Sequence, residues 1–123
     1  MSIYGDVETR LATIPGMTVG TNIFSPEHPQ LDPSATLPTI AIKRISDGGD
    51  YTLEVARALR QDRFQLTFAA ETEVGLSVLV GLAETALNGK HTTFSASPLG
   101  LGSDGHDPVP ECFWVKGDWL IFQ

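Results

Sequence analysis

The sequence predicts a single α+β domain over residues 1–123: an antiparallel or mixed β-sheet with two helices packed on one face, in the order α-β-β-β-α-β-β. Three observations lead there. The chain has 123 residues, one domain's worth, and at that size it buries enough surface to sustain its own core. Apolar residues recur at helical spacing without ambiguity in two segments, near the N-terminus and after residue 72. Alternating, β-branched runs outnumber these segments and do not alternate with them as βαβ units would.

The first helix is expected over residues 3–14. Ile3, Val7, Leu11 and Ile14 share one face, bordered by Tyr4. Ser2 is a candidate cap, Asp6 and Glu8 suit the positive end of the helix dipole, and Pro15-Gly16 ends the element. Residues 17–24 alternate through Val19, Thr21 and Ile23 as a short strand weakened by Gly20. Residues 25–38 hold four prolines and read as a long loop, because proline fixes φ and removes a donor. Residues 39–46, TIAIKRIS, read as a strand with Ile40 and Ile42 on one face and Lys43 and Ile45 on the other. DGGD at 47–50 is a turn. Residues 51–62 fit both periods and are read as an extended arm returning into the next strand.

The clearest unit is RFQLTFAAETEVGLSVLVGLAETALNG, residues 63–89. Phe64, Leu66, Phe68 and Ala70 alternate in a strand that places Arg63, Gln65 and Thr67 on a polar outer face. Thr72 then caps a helix reaching Leu87, with Glu71 and Glu73 at its positive end and Asn88-Gly89 as its stop. Val74, Val78, Leu82 and Ala86, joined by Leu79, Ala83 and Leu87, are expected to form its buried side. Gly75 and Gly81 each cost roughly 1 kcal/mol relative to alanine, which is explained by close packing on the sheet. A strand through Thr92, Phe94 and Ala96 follows, then a second long loop at 100–111. CFWVKGDWLIFQ closes the chain as one long strand with a bulge at Gly117.

The net charge is −7, which argues against a nucleic-acid-gripping surface built on clustered Lys and Arg. No apolar run reaches the ~18 residues of a membrane span, and the first residues lack the features of a secretory signal, so synthesis in the cytoplasm is expected. The lone Cys112 excludes an internal disulfide and a cysteine-based zinc site within one chain; it reads as a buried core residue.

No catalytic pattern stands out. His28, His91 and His106 form no metal-binding pair on a helix. Asp104, His106 and Asp107 in SDGHDP are too few for a calcium loop and are explained by turn chemistry. NGKHTT lacks the upstream glycine and the Ser or Thr of a phosphate-binding loop, and no serine sits in a GxSxG elbow. No catalytic, cofactor or metal residue is therefore assigned.

The order of elements resembles the tail terminator, or tail completion, family of tailed bacteriophages over nearly the whole chain. The likeness rests on a short first helix closing at LATIPGM, a proline-rich loop leading through LPTIAI into a strand, the strand–helix unit at 63–89, and ECFWVKGDWLIF at the end. This is a pattern of order and spacing without a catalytic signature. Some family members carry an aromatic residue where this chain has Thr39, and residues 47–62 align poorly, so a head–tail connector, or neck protein, is the neighbouring reading.

The resemblance implies a structural virion protein, assembled in the host cytoplasm, with no enzymatic activity and no cofactor. It implies a ring of identical subunits, commonly six, that sits on the tail tube, ends its polymerisation and joins the tail to the head. Its partners would be further copies of itself, the tube protein and a connector protein, and DNA would pass through the lumen without specific binding. A −7 subunit would repel DNA wherever its acids line that lumen. Residues expected to meet the tube or a neighbour are Asp47, Gly48, Gly49, Asp50 and Arg57; those expected to face the next ring are Glu27, His28, Asp104 and Asp107. Two further alternatives are a small-molecule-binding or enzymatic domain using His28, His106 and Asp107, and a regulatory protein-binding module.

Overall fold

In a computed structural model, residues 3–27, 29, 37–46, 61–91, 94–108 and 111–122 are described. Helix α1 spans Ile3–Leu11, β1 Ile23–Phe24, β2 Thr39–Ser46 and β3 Gln61–Ala70. Helix α2 follows over Glu73–Leu87, then β4 Gly89–Lys90, β5 Ser95–Pro108 and β6 Glu111–Phe122. The six strands form one mixed sheet in the order β1-β2-β3-β6-β5-β4. Only the β1–β2 pair is parallel. The class is thus α+β with a mixed sheet, as the sequence predicts, but the order is α-β-β-β-α-β-β-β: the short β4, formed where Gly89 and Lys90 pair with Ala96 and Ser95, adds a strand after α2.

β3 is the centre of the sheet because its alternation matches both neighbours. Phe68, Leu66 and Phe64 lie opposite Ile40, Ile42 and Arg44 of β2, and opposite Val115, Gly117 and Trp119 of β6. Phe64, Leu66 and Phe68 are fully buried, and Val7, Leu11, Leu79, Val80, Ala83 and Leu87 from the two helices join them in one apolar cluster. Trp119 and Phe68 meet edge-on, with ring centroids 6.0 Å apart. The Trp119 indole N–H donates to Asn88 Oδ1 at 2.8 Å, so the end of α2 is tied to β6 through a satisfied buried donor. Arg10 Nε donates to the Ala86 carbonyl at 2.7 Å and links the two helices.

Helix α2 starts where the sequence places it. Thr72 is extended, and its hydroxyl accepts from the Gly75 N–H at 3.0 Å. It ends at Asn88, after which Gly89 takes φ +101°, a conformation that favours glycine.

Several expectations change. α1 stops at Leu11, and residues 12–16 form turns. Asp6 and Glu8 are buried rather than solvated at a helix end. The strand expected at 17–24 is reduced to Ile23–Phe24 and a single bridge from Val19, because Gly20 takes φ +86° and Asn22 folds back to accept from the Thr18 N–H. The loop expected at 100–111 is strand at its described positions: β5 pairs with β6 through Pro108↔Glu111. The irregularities belong to β5, between Pro98 and Gly100 and between Leu101 and Asp104. β6 runs without a shift past Gly117. That glycine is needed for space instead, since a Cβ there would lie 2.9 Å from the Trp119 ring and 3.0 Å from Leu101 Cδ2. Cys112 is half-buried and paired with Asp107, on the sheet face opposite Phe113 and Val115, so it is not a core residue. The turn at 47–50 and most of the arm at 51–62 lie outside the described residues.

Candidate interaction surfaces

The face of the sheet away from the core carries side chains of another kind. Lys43, Gln65 and Asp118 form one row across β2, β3 and β6; Ala41, Thr67 and Lys116 form the next. Arg63 donates from Nε to Asp118 Oδ2 at 3.1 Å and pairs with it through NH2 as well. Trp114 lies on this face against Gly105, where an added Cβ would sit 2.5 Å from the ring, and Lys116 Nζ lies 5.7 Å from the Trp114 ring centroid. The outer face is polar along β3, as its alternation requires, while Trp114, Leu120 and Phe122 of β6 add half-buried apolar side chains to it. Its described charges are Lys43, Arg63, Lys90 and Lys116 against Asp118 and Asp107, so the negative excess of the chain is carried elsewhere.

The two edges of the sheet differ. At the β2 edge, the Ile40 N–H donates to the Asn22 carbonyl at 2.8 Å and β1 covers the start of the strand. Further along, the Arg44 N–H donates to the Tyr4 hydroxyl at 3.0 Å, while the Tyr4 ring packs edge-on to Phe64 at 5.3 Å. This edge is closed by its own chain. At the other edge, β4 pairs only with Ser95 and Ala96. From Ser97 to Pro108 no described strand covers β5. Leu99 and Leu101 are exposed there, as are Asp104, His106 and Asp107. Pro98, the two register shifts and the carboxylates break up the row of donors and acceptors that a bare edge would offer.

The third surface is the outward side of α2. Leu79, Val80, Ala83, Ala86 and Leu87 are buried, but Val74 is 76% exposed, Val78 56% and Leu82 41%. The four-residue row expected in the core therefore points to solvent except at Ala86. The helix is apolar nearly all round, and spacing alone did not say which side meets the sheet.

The sequence-derived interaction residues scatter. Glu27 is exposed just after β1, with its N–H donating to Ser25 Oγ at 3.2 Å. Asp104 and Asp107 are exposed on β5, opposite Val115 and Cys112. β1 and β5 are separated in the sheet by β2, β3 and β6, so the described ends of the two segments expected to be loops belong to different sheet edges. His28, Asp47, Gly48, Gly49, Asp50 and Arg57 lie outside the described residues. His106 lies on a strand, with its ring 4.5 Å from that of Phe113, and not in the turn the sequence suggested. Among the described residues no group of three or more His, Cys, Asp or Glu is placed to hold a metal, and no helix is long and apolar enough to cross a membrane.

Sequence reasoning missed the Tyr4 hydroxyl as an edge cap. Its one signal was a tyrosine bordering the apolar face of α1. No protein-family model matches the chain, and no curated protein matches it either.

Proposed function

We propose that this chain is a structural protein of a tailed bacteriophage that assembles into a ring, caps the tail tube, ends its polymerisation and joins the tail to the head. The element order carries the resemblance, and both helices are read as covering the core face of the sheet. The observation that supports assembly most directly is the inequality of the two sheet edges. Tyr4 and β1 close one edge, and β5 is uncovered along most of the other among the described residues. A ring is built from heterologous contacts, in which two different surfaces of one unit meet. A subunit with unlike edges has such a pair of surfaces. Strand addition along β5 is one way to use the open one.

In this reading the six-fold ring, the tube protein and the connector protein are the partners, DNA passes through the lumen without specific binding, and no reaction or cofactor is involved. A neck connector at the head–tail joint would use the same surfaces. Negative-stain microscopy of the purified chain tests the proposal, together with growth of tubes from the cognate tube protein in its presence. Rings with an open centre and tubes of arrested length are expected. A monomer that neither forms rings nor limits tube growth refutes it.

A further inference from the structure

The side of the sheet away from the core has a charge that the rest of the chain opposes. Lys43, Arg63, Lys90 and Lys116 stand on it, one each from β2, β3, β4 and β6. Its described carboxylates are Asp107 and Asp118, and Asp118 is already paired with Arg63. Half of the eight Lys and Arg of the chain thus share one surface of net charge +2, which leaves −9 for the rest of a chain whose total is −7. The contrast does not turn on the residues outside the description. Their charges are Asp32, Asp47, Asp50 and Glu54 against Arg57 and Arg60, and counting all six with this face would make it neutral against −7 elsewhere.

The same face holds an apolar stripe. Trp114, Leu120 and Phe122 are half-buried on β6, a middle strand of the sheet. Apolar and aromatic groups within a charged rim are the usual anatomy of a protein–protein contact. On the helices the sign of the charge is reversed. Glu71 and Glu73 are exposed at the start of α2, and Glu84 is half-buried near its end. The one cation of the two helices, Arg10, donates from Nε to the Ala86 carbonyl at 2.7 Å.

We infer that the outer face of the sheet docks a second copy of this chain, which presents its helix side, with Glu71 and Glu73 towards Lys43 and Lys116. Charge selects this pairing. Two outer faces brought together would set +2 against +2, and two helix sides would set carboxylates against carboxylates. A long polyanion such as nucleic acid gains at this face but meets −9 on the remainder of each chain. The two surfaces are unlike, so the contact is heterologous, and it rests on the ring reading for closure. Without closure the same contact repeats as an open chain of copies.

Sedimentation velocity of the full chain from about 1 to 500 µM, a range that brackets micromolar affinity, is the test. The expected result is association that grows with concentration and weakens with added salt. Lys43→Glu with Lys116→Glu should weaken it about a hundredfold, because like charges then face each other. Glu71→Lys with Glu73→Lys should do the same. Mixed one to one, the two double variants should associate again, since each then carries the complement of the other. Two variants that had merely lost their fold would not recover on mixing. A chain that stays monomeric throughout overturns the contact and the ring reading with it. Rings indifferent to both double substitutions overturn the contact and leave the ring reading intact. Quenching of tryptophan fluorescence by a single-stranded oligonucleotide, lost with Lys43→Glu and Lys116→Glu while self-association is unchanged, assigns the face to nucleic acid and overturns the contact.

Discussion

Gly105→Ala separates the observed fold from the one the sequence suggests. If residues 100–108 were a loop, alanine at 105 would be neutral, or mildly stabilising through the unfolded state. In the structure, Gly105 lies on β5 opposite Trp114, and an added Cβ would sit 2.5 Å from Trp114 Cζ2 and 2.7 Å from Cε2. Ordinary contact between carbons is about 3.5–4.0 Å, so the ring must move by an ångström or more. Trp114 is half-buried on the outer face and Lys116 lies over it, so the ring has room to swing but loses its seat on the strand. Overpacking of this kind costs typically 1–3 kcal/mol. The lower half of that range applies here, because the ring is only half-buried and the side chain over it, Lys116, is flexible. For a chain of this length about 1–2 kcal/mol lowers Tm by roughly 4–8 °C. Urea unfolding followed by tryptophan fluorescence gives the number. The same change in a Trp114→Ala background removes the clash and leaves only the poor strand propensity of glycine, so Gly105→Ala should there be neutral or stabilising by about 0.5 kcal/mol. A Gly105→Ala protein as stable as the parent, with no change of sign between backgrounds, would refute the placement of β5 against Trp114.

Four smaller effects are expected from the same unfolding measurements. Asn88→Ala leaves the buried indole N–H of Trp119 without its acceptor and should cost about 1–3 kcal/mol; the loss should shrink in a Trp119→Phe background, measured as a double-mutant cycle. Thr72→Ala removes the cap of α2 and should cost about 1 kcal/mol, with Thr72→Ser nearly neutral. Tyr4→Phe keeps the ring against Phe64 but deletes the acceptor for the Arg44 N–H, for a loss of about 0.5–1.5 kcal/mol and faster amide exchange at Arg44. Breaking the exposed Arg63–Asp118 pair with Asp118→Asn should change stability by under about 1 kcal/mol, an effect that fades in high salt.

The legible parts of this fold were those where one local signal had one structural solution. Thr39–Ser46 is a strand within the residues the alternation marked, because Ile40 and Ile42 demand burial while Lys43 demands water. The strand and helix around Thr72 follow a change of period with a cap at the joint. The illegible parts were decided by partners distant in sequence. Residues 100–108 carry three glycines, an aspartate pair and a proline, all of which disfavour strands. They pair nonetheless, because β6 is a long, strongly alternating strand whose β3-distal side would otherwise present unpaired backbone groups. Glycine helps there, since Gly105 is where Trp114 needs room.

The buried side of α2 was undecidable for a related reason. A helix with Val74, Val78 and Leu82 on one side and Leu79, Val80 and Ala83 on the other has two apolar candidates, and helical spacing ranks neither. The small residues break the tie in retrospect. Ala83 and Ala86 are buried and let the helix approach the sheet, whereas Gly81 and Ser77 lie on the exposed side, and among the described residues none comes within 4 Å of a Cβ added at Gly81. Which apolar side of α2 meets the sheet is therefore readable only after β3 and β6 have fixed where the core lies.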